Sequence, residues 1–326
     1  MKIGVFSILF NDWSLDDTLD YLVKIGAEAV ELGTGGYSRS NHCIPDELLT
    51  DEIRLEEFKD KFKKRNLFIS ALSTHGNPVH PDKEVAVKHH EDFEKTVLLA
   101  EKLGIETVLV LSGCPGGSPR DETPNWTICA WPEDFPKILE YQWNEVLVPY
   151  WKKAASFAKN HGVNKIAVEP HPGFCVYNTE TLLRLRVEVG REIGVNFDPS
   201  HFFWQGMDTS EAILTLGDSI YHIHAKDTAL NMKNISVNGV LDAKHYSKVK
   251  ERSWLFRTVG YGHSSEVWRN MISALATVGY DSVLSIEHED CLMSREEGLE
   301  KAIGFLKEII IREKLGKMWW ETRAEG

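Results

Sequence analysis

Residues 160–170 read NHGVNKIAVEP: the end of a polar helical stretch, a stop at Gly162, two spacer residues, and an apolar β-forming run that closes on Glu169. The theme recurs as KIGAEAVEL at 24–32, KLGIETVLVL at 102–111 and TVGYDSVLSIE at 277–287. Glycine ends a helix by taking a left-handed conformation. The run behind it is short, apolar and β-branched, which suits a strand buried on both faces. Working outward, the same criteria predict strands at Ile3–Leu9, Ala29–Leu32, Leu67–Ser73, Thr107–Ser112, Lys165–Glu169, Gly194–Asp198, Ile220–His224 and Ser282–Glu287. Helical patterns fall between them, as at Ser14–Ile25, Glu84–Leu103, Glu140–Asn160 and Arg295–Ile311. Eight strands alternating with helices predict an α/β fold, a (β/α)8 TIM barrel. A doubly wound open sheet is the other architecture such alternation allows. It would gather its chemistry at one crevice, whereas candidate ligands here sit on at least four strands.

No linker or low-complexity segment interrupts the pattern, so residues 1–326 are expected to form a single domain. The intervals Gly33–Glu57, Gly113–Pro136 and Thr228–Ser264 are too long for a bare loop plus helix, and each follows a strand's C-terminal end. In a barrel such loops build the active-site face. The second, rich in Pro, Gly and Trp, suits either an aromatic lid or wall, or a loop packed on its own tryptophans. The C-terminal tail LGKMWWETRAEG sets Trp319 and Trp320 beside charges, as a docking or subunit contact would.

Composition narrows the function classes. The formal net charge is −12, which works against nucleic-acid and anionic-membrane partners. The five cysteines are widely spread and include no CxxC pair, the usage of a reduced, cytoplasmic protein. The N-terminal apolar run stops too early for a signal peptide. No stretch approaches the roughly 20 apolar residues of a membrane span.

The chemistry concentrates at four strand ends: Glu169 in IAVEP, Asp198 in VNFDPSH, His224 in YHIHAKD and Glu287 in LSIEHED. Ionised carboxylates are costly to bury without a cation or donors. Three carboxylates and one imidazole at successive strand ends therefore predict one divalent metal ion. Oxygen-rich ligation with one nitrogen favours Mn²⁺, with Mg²⁺, Co²⁺ and Zn²⁺ also compatible. Expected substrate contacts are His171, two residues past Glu169 with the same inward parity, and His75 at the end of strand 3. Lys226 continues the parity of His224, and Trp13 after strand 1 offers a ring to a sugar face. His222, one layer deeper, is expected in the core. Asp227 suits either pairing with Lys226 or holding the loop.

On the four strand ends, and on His201 three residues after Asp198 in FDPSH, the chain resembles the xylose isomerase-like TIM-barrel superfamily, the sugar phosphate isomerase/epimerase family. The resemblance runs from KIGVFS to the last barrel helix. It implies that Glu169, Asp198, His224 and Glu287 hold the ion. It further implies that Glu169 and Glu287 flank the substrate and exchange protons with its carbon, and that His201 contacts a substrate hydroxyl. The epimerase branch carries an arginine shortly after the ligand histidine, where this chain has HAKDTALN and Lys226. The DNA-repair endonuclease branch needs histidines at the ends of strands 3 and 4; His75 could be the first, but strand 4 ends in LSGC.

The expected function is a metal-dependent isomerase or epimerase of a sugar, keto-sugar or polyol, which removes a proton next to a carbonyl. The alternatives are the catalytic subunit of a 3-oxo-glycoside (C-glycoside) deglycosidase and a non-catalytic sugar-binding barrel. A homo-oligomer or a small partner subunit fits the acidic surface and aromatic tail.

Overall fold

The computed structural model describes residues 1–313 with Gly316, Met318 and Trp320; Trp319 and most of the tail expected to dock lie outside the described residues. The helix-to-strand joints form as the glycine pattern requires. Helices Leu15–Ile25 and Lys83–Leu103 end at Gly26 and Gly104 with φ of +91° and +70°, a region that a Cβ makes costly. Their first turns are capped by Ser14 and Asp82, whose side chains accept the N–H of Asp17 and Glu84.

Eight parallel strands close into a barrel: β1 (Lys2–Phe6), β2 (Ala29–Gly33), β3 (Phe68–Ser73), β4 (Thr107–Leu111), β5 (Lys165–Glu169), β6 (Ile193–Phe197), β7 (Ile220–Ala225) and β10 (Val283–Ile286). The ring closes where β1 pairs with β10, Lys2 opposite Val283 and Val5 opposite Ile286. All eight expected strands are present, and the open-sheet alternative falls with the closure.

Alternation along the strands sorts side chains into two environments. Val30, Leu72, Val108, Val110, Ile166, Val168, Val195, Ile223 and Ile286 belong to the main core shared with the helices. Ala71, Leu109 and Ala167 form a small separate cluster. One step of the period-two repeat above Ala167 comes Glu169, so the strands lift their polar ends toward the C-terminal mouth.

The three long intervals emerge at that mouth. The first holds the helix Pro45–Thr50. The second is clamped by Gln142, whose amide donates to the carbonyls of Pro115, Gly116 and Asn125. The third contains an antiparallel hairpin, β8 (Asp227–Leu230) with β9 (Trp254–Arg257), and the short helix Met232–Asn238. Sequence patterning did not separate that hairpin from loop, because its strands are only four residues long. No helix among the described residues is long and apolar enough to cross a membrane.

Candidate metal centre

Glu169 ends β5, Asp198 follows β6, His224 lies on β7 and Glu287 follows β10. One ligand atom from each lies within 4.8 Å of the other three. His224 Nδ1 is 3.2 Å from Glu169 Oε2 and 3.1 Å from Glu287 Oε2. These spacings fit a common ion, since donors about 2.0–2.2 Å from one centre stand roughly 3–4 Å apart. His224 Nδ1 is buried and makes no hydrogen bond, as are His75 Nε2 and His201 Nε2 beside it. A buried polar atom without a partner is costly, and a cation between the carboxylates would satisfy His224 Nδ1 directly. The donor set therefore suits a divalent ion.

A layer beneath lies a carboxylate that the sequence analysis did not single out. Glu31 on β2 is fully buried. Its oxygens lie 3.0 and 3.1 Å from His224 Nε2, and Oε2 lies 3.0 Å from His222 Nε2. Ser73 Oγ donates to Oε1 at 2.5 Å. An ionised carboxylate only accepts, so a neutral His224 keeps its proton on Nε2 and leaves the Nδ1 lone pair for an ion. Without one, burial lowers the imidazole, but Glu31, Glu287 and Glu169 outweigh it and raise it well above its usual value. Burial pushes the Glu31 carboxyl up, but the two histidines outweigh it and hold it well below the usual range. His222 is thus a core histidine, as expected, satisfied by Glu31. Asn196 on β6 likewise donates to Glu169 Oε2 at 2.9 Å. Both positioning residues sit at register shifts, Val30/Glu31 against β3 and Val195/Asn196 against β7, where an irregularity re-aims a side chain. The available signal was an acid inside an apolar strand, AVELG.

The expected contacts divide. His75 and His201 flank Glu169, with Nε2 atoms 3.3 and 3.4 Å from its carboxylate. Asp198 accepts the N–H of Ser200 and caps the helix Pro199–Trp204, which carries His201 over the centre. The His171 ring stands 4.1 Å from the His201 ring. Its Nδ1 donates to the Pro172 carbonyl at 2.7 Å, leaving Nε2 as an acceptor. Burial, reinforced by His201, pulls the His171 imidazole down to about 3, so it is neutral. Lys226 is buried with its ammonium 3.0 Å from Asp198, 2.7 Å from Glu287 and 3.1 Å from Glu289. Burial lowers its affinity for a proton, but the surrounding carboxylates win and raise it well above the usual lysine value. Burial also raises the Glu287 carboxyl, and Lys226 with His224 brings it down to about 2. Trp13 is not brought to the site. Its ring packs on Phe10 and Tyr21 beneath Arg295.

A cavity of about 360 Å³ opens over the centre. Phe6, Ile8, Leu9, Leu111 and Phe174 line it together with His75, Glu169, His171, Lys226, Glu287 and Glu289. The 113–136 loop contributes no residue to this lining. Its Trp126 packs edge-on against Tyr177, and its Trp131 is exposed.

Asp227 holds the loop rather than Lys226. Its Oδ2 accepts the backbone N–H groups of Gly260, Gly262 and His263 at 3.0 Å and the Trp268 indole at 3.1 Å. Oδ1 accepts from Thr228 N and meets His263 Nδ1, both at 2.8 Å.

The family described as xylose isomerase-like TIM barrel matches residues 19–309. The Bacillus subtilis (strain 168) protein YfiH, itself uncharacterized, is 38% identical over 312 residues, covering 95% of this chain and 99% of its own. Among solved structures, the IOLI protein with a bound zinc atom superposes with TM-score 0.65 at 19% identity, over 95% of this chain and 98% of its own. D-psicose 3-epimerase with D-tagatose from Clostridium cellulolyticum H10 superposes with TM-score 0.59 at 14% identity, over 94% and 98%. At these identities the structures share the fold.

Proposed function

Since the chain belongs to the xylose isomerase-like TIM-barrel family, we propose that it is a divalent-metal-dependent isomerase or epimerase of a keto-sugar or polyol ketone. The observation that carries the proposal is the convergence of two carboxylates, the buried Glu169 and the partly buried Glu287, on the same ring nitrogen, Nδ1 of His224, at the floor of the cavity. Glu169, Asp198, His224 and Glu287 would hold the ion. When bound, it would polarise the substrate carbonyl and make the adjacent C–H more acidic.

The protein's own groups do the rest. Glu169 and Glu287 come from opposite sides of the ligand cluster, separated around the barrel by β6 and β7. A substrate lying between them meets a base on each face, so one carboxylate takes the proton from carbon and the other returns one. Both carboxyls are held low, Glu169 by His201, His224 and His75 against burial, so both are ionised at neutral pH and competent to accept. His171 lines the cavity and presents its Nε2 lone pair to a substrate hydroxyl, while His201 Nε2 lies buried 3.4 Å from both the Glu169 and Asp198 carboxylates. Lys226 keeps Glu287 and Asp198 apart in charge. The apolar wall keeps water from the reacting carbon.

The test is exchange of substrate C–H for deuterium in D₂O by metal-loaded protein, compared with Glu169→Gln and Glu287→Gln. Each variant should lose exchange about a hundredfold or more. Full exchange in the double variant would remove the proton-transfer role. Release of an aglycone from a 3-oxo-glycoside would point to elimination instead.

A further inference from the structure

We infer that the substrate is an uncharged carbonyl sugar or polyol, without phosphate or carboxylate, bound with its C–H-rich side against Phe6, Ile8, Leu9, Leu111 and Phe174. The inference rests on the proton-transfer function proposed above and specifies its substrate class.

Charge at the floor is the first ground. Asp198, Glu287 and Glu289 surround Lys226, the only lysine or arginine among the described lining residues, and Glu169 lies on the same floor. Four carboxylates, one ammonium and a divalent ion leave a net charge of −1 with imidazoles counted neutral. Lys226 cannot serve an anion, because three carboxylates already share it within 3.1 Å. An anionic substituent would meet like charge in a confined site, which costs steeply.

The second ground is independent of the cavity. TIM barrels often bind phosphate on backbone N–H groups in the loops after the seventh and eighth strands, at a helix N-terminus. The glycine-rich turn RTVGYGHSS here has that form, and it leads into the helix Ser265–Thr277. Its converging N–H groups, from Gly260, Gly262 and His263, are already filled by the carboxylate of Asp227. Asp227 is fully buried, and a Cβ at Gly262 would lie 2.4 Å from the Thr228 carbonyl oxygen. The protein thus supplies its own anion to this nest.

Size and wall complete the argument. About 360 Å³ lies at the low end for small-molecule sites, and aromatic and aliphatic side chains favour C–H faces over ionised groups.

The experiment pairs each neutral substrate with a charged counterpart: D-fructose with D-fructose 6-phosphate, and methyl 3-oxo-glucoside with the matching 3-oxo-glucuronide. Metal-loaded full-length protein is incubated with each in D₂O, and C–H exchange is read by NMR. At least one neutral member should exchange about a hundredfold faster than its charged partner. In Glu289→Lys, which adds positive charge at the rim, that ratio should fall about tenfold. Equal or faster exchange of the charged member would overturn the inference while leaving proton transfer intact. Exchange with no member of either kind would overturn the proton-transfer function, and the substrate class with it.

Discussion

Replacing Glu31 with glutamine tests whether the layer beneath the centre sets its metal affinity. Glu31 is more than ten residue positions from any expected ligand, yet both its oxygens face His224 Nε2 at 3.0 and 3.1 Å, while His222 and Ser73 take the remaining capacity. Glutamine keeps the shape and one carbonyl oxygen. Its amide nitrogen only donates, so it confronts one histidine N–H with another donor. His224 also loses the negative charge that fixes its proton on Nε2 and strengthens Nδ1 as a ligand. Loss of such a supporting contact typically weakens a metal site about 10–100-fold, which is roughly 1.4–2.7 kcal/mol of binding free energy. Removing the carboxylate from a buried pair with histidines also costs stability, on the order of 3 kcal/mol. Chelator-competition titration of Mn²⁺ and Zn²⁺ reads the first effect, and thermal unfolding of the metal-free protein reads the second. A variant that melts lower but binds metal within twofold of the parent would show that Glu31 is structural only, and would refute the reasoning.

Three further outcomes follow from the same geometry. Stripping the metal with EDTA should lower the unfolding temperature, and restoring Mn²⁺ at about a hundred times its Kd should return roughly 2.7 kcal/mol; calorimetry with and without EDTA checks this. Asp227→Ala leaves three part-buried backbone N–H groups and the buried Trp268 indole without their acceptor, so it should cost about 4 kcal/mol or more. Urea unfolding measures that loss, and hydrogen exchange should localise it to residues 258–268. Asp242 accepts the N–H of Lys244 and Ser253; burial raises its carboxyl, but these donors and the Lys244 ammonium bring it from 3.8 to about 2. A depressed carboxyl stabilises the fold above its unfolded value and loses that contribution as pH falls through the folded one. Hydrogen exchange in the 232–256 segment should therefore rise from pH 4 to pH 2 in the parent and show a smaller pH dependence in Asp242→Asn.

Much of the barrel was legible because its signals are local. A glycine stop, a short spacer and an apolar run all fall within about a dozen residues before four of the strands, apolar runs mark the other four, and these eight are the eight that close. The expected boundaries ran long at β1, where Ser7–Phe10 continues as a 3-10 turn. Glu169, Asp198, His224 and Glu287 were visible because each breaks an apolar run at its end. Trp13 was drawn toward the site by its place after β1, but Arg295 and Tyr21 claim its ring from other parts of the chain. Glu31 and Asn196 went unnoticed because their partners lie 193 and 27 positions away.

The sequence by itself determined the alternation, the strand ends and the residue types gathered there, since backbone propensity and apolar periodicity act between near neighbours. Only the closed tertiary structure decided what those ends face. Closure brings β2 across from β7, so Glu31 supports His224. It turns Lys226 into the carboxylate cluster and folds the β8–β9 hairpin so that Asp227 fills the glycine turn. Those contacts depend on barrel register and on two local register shifts, quantities set by the whole ring of strands at once.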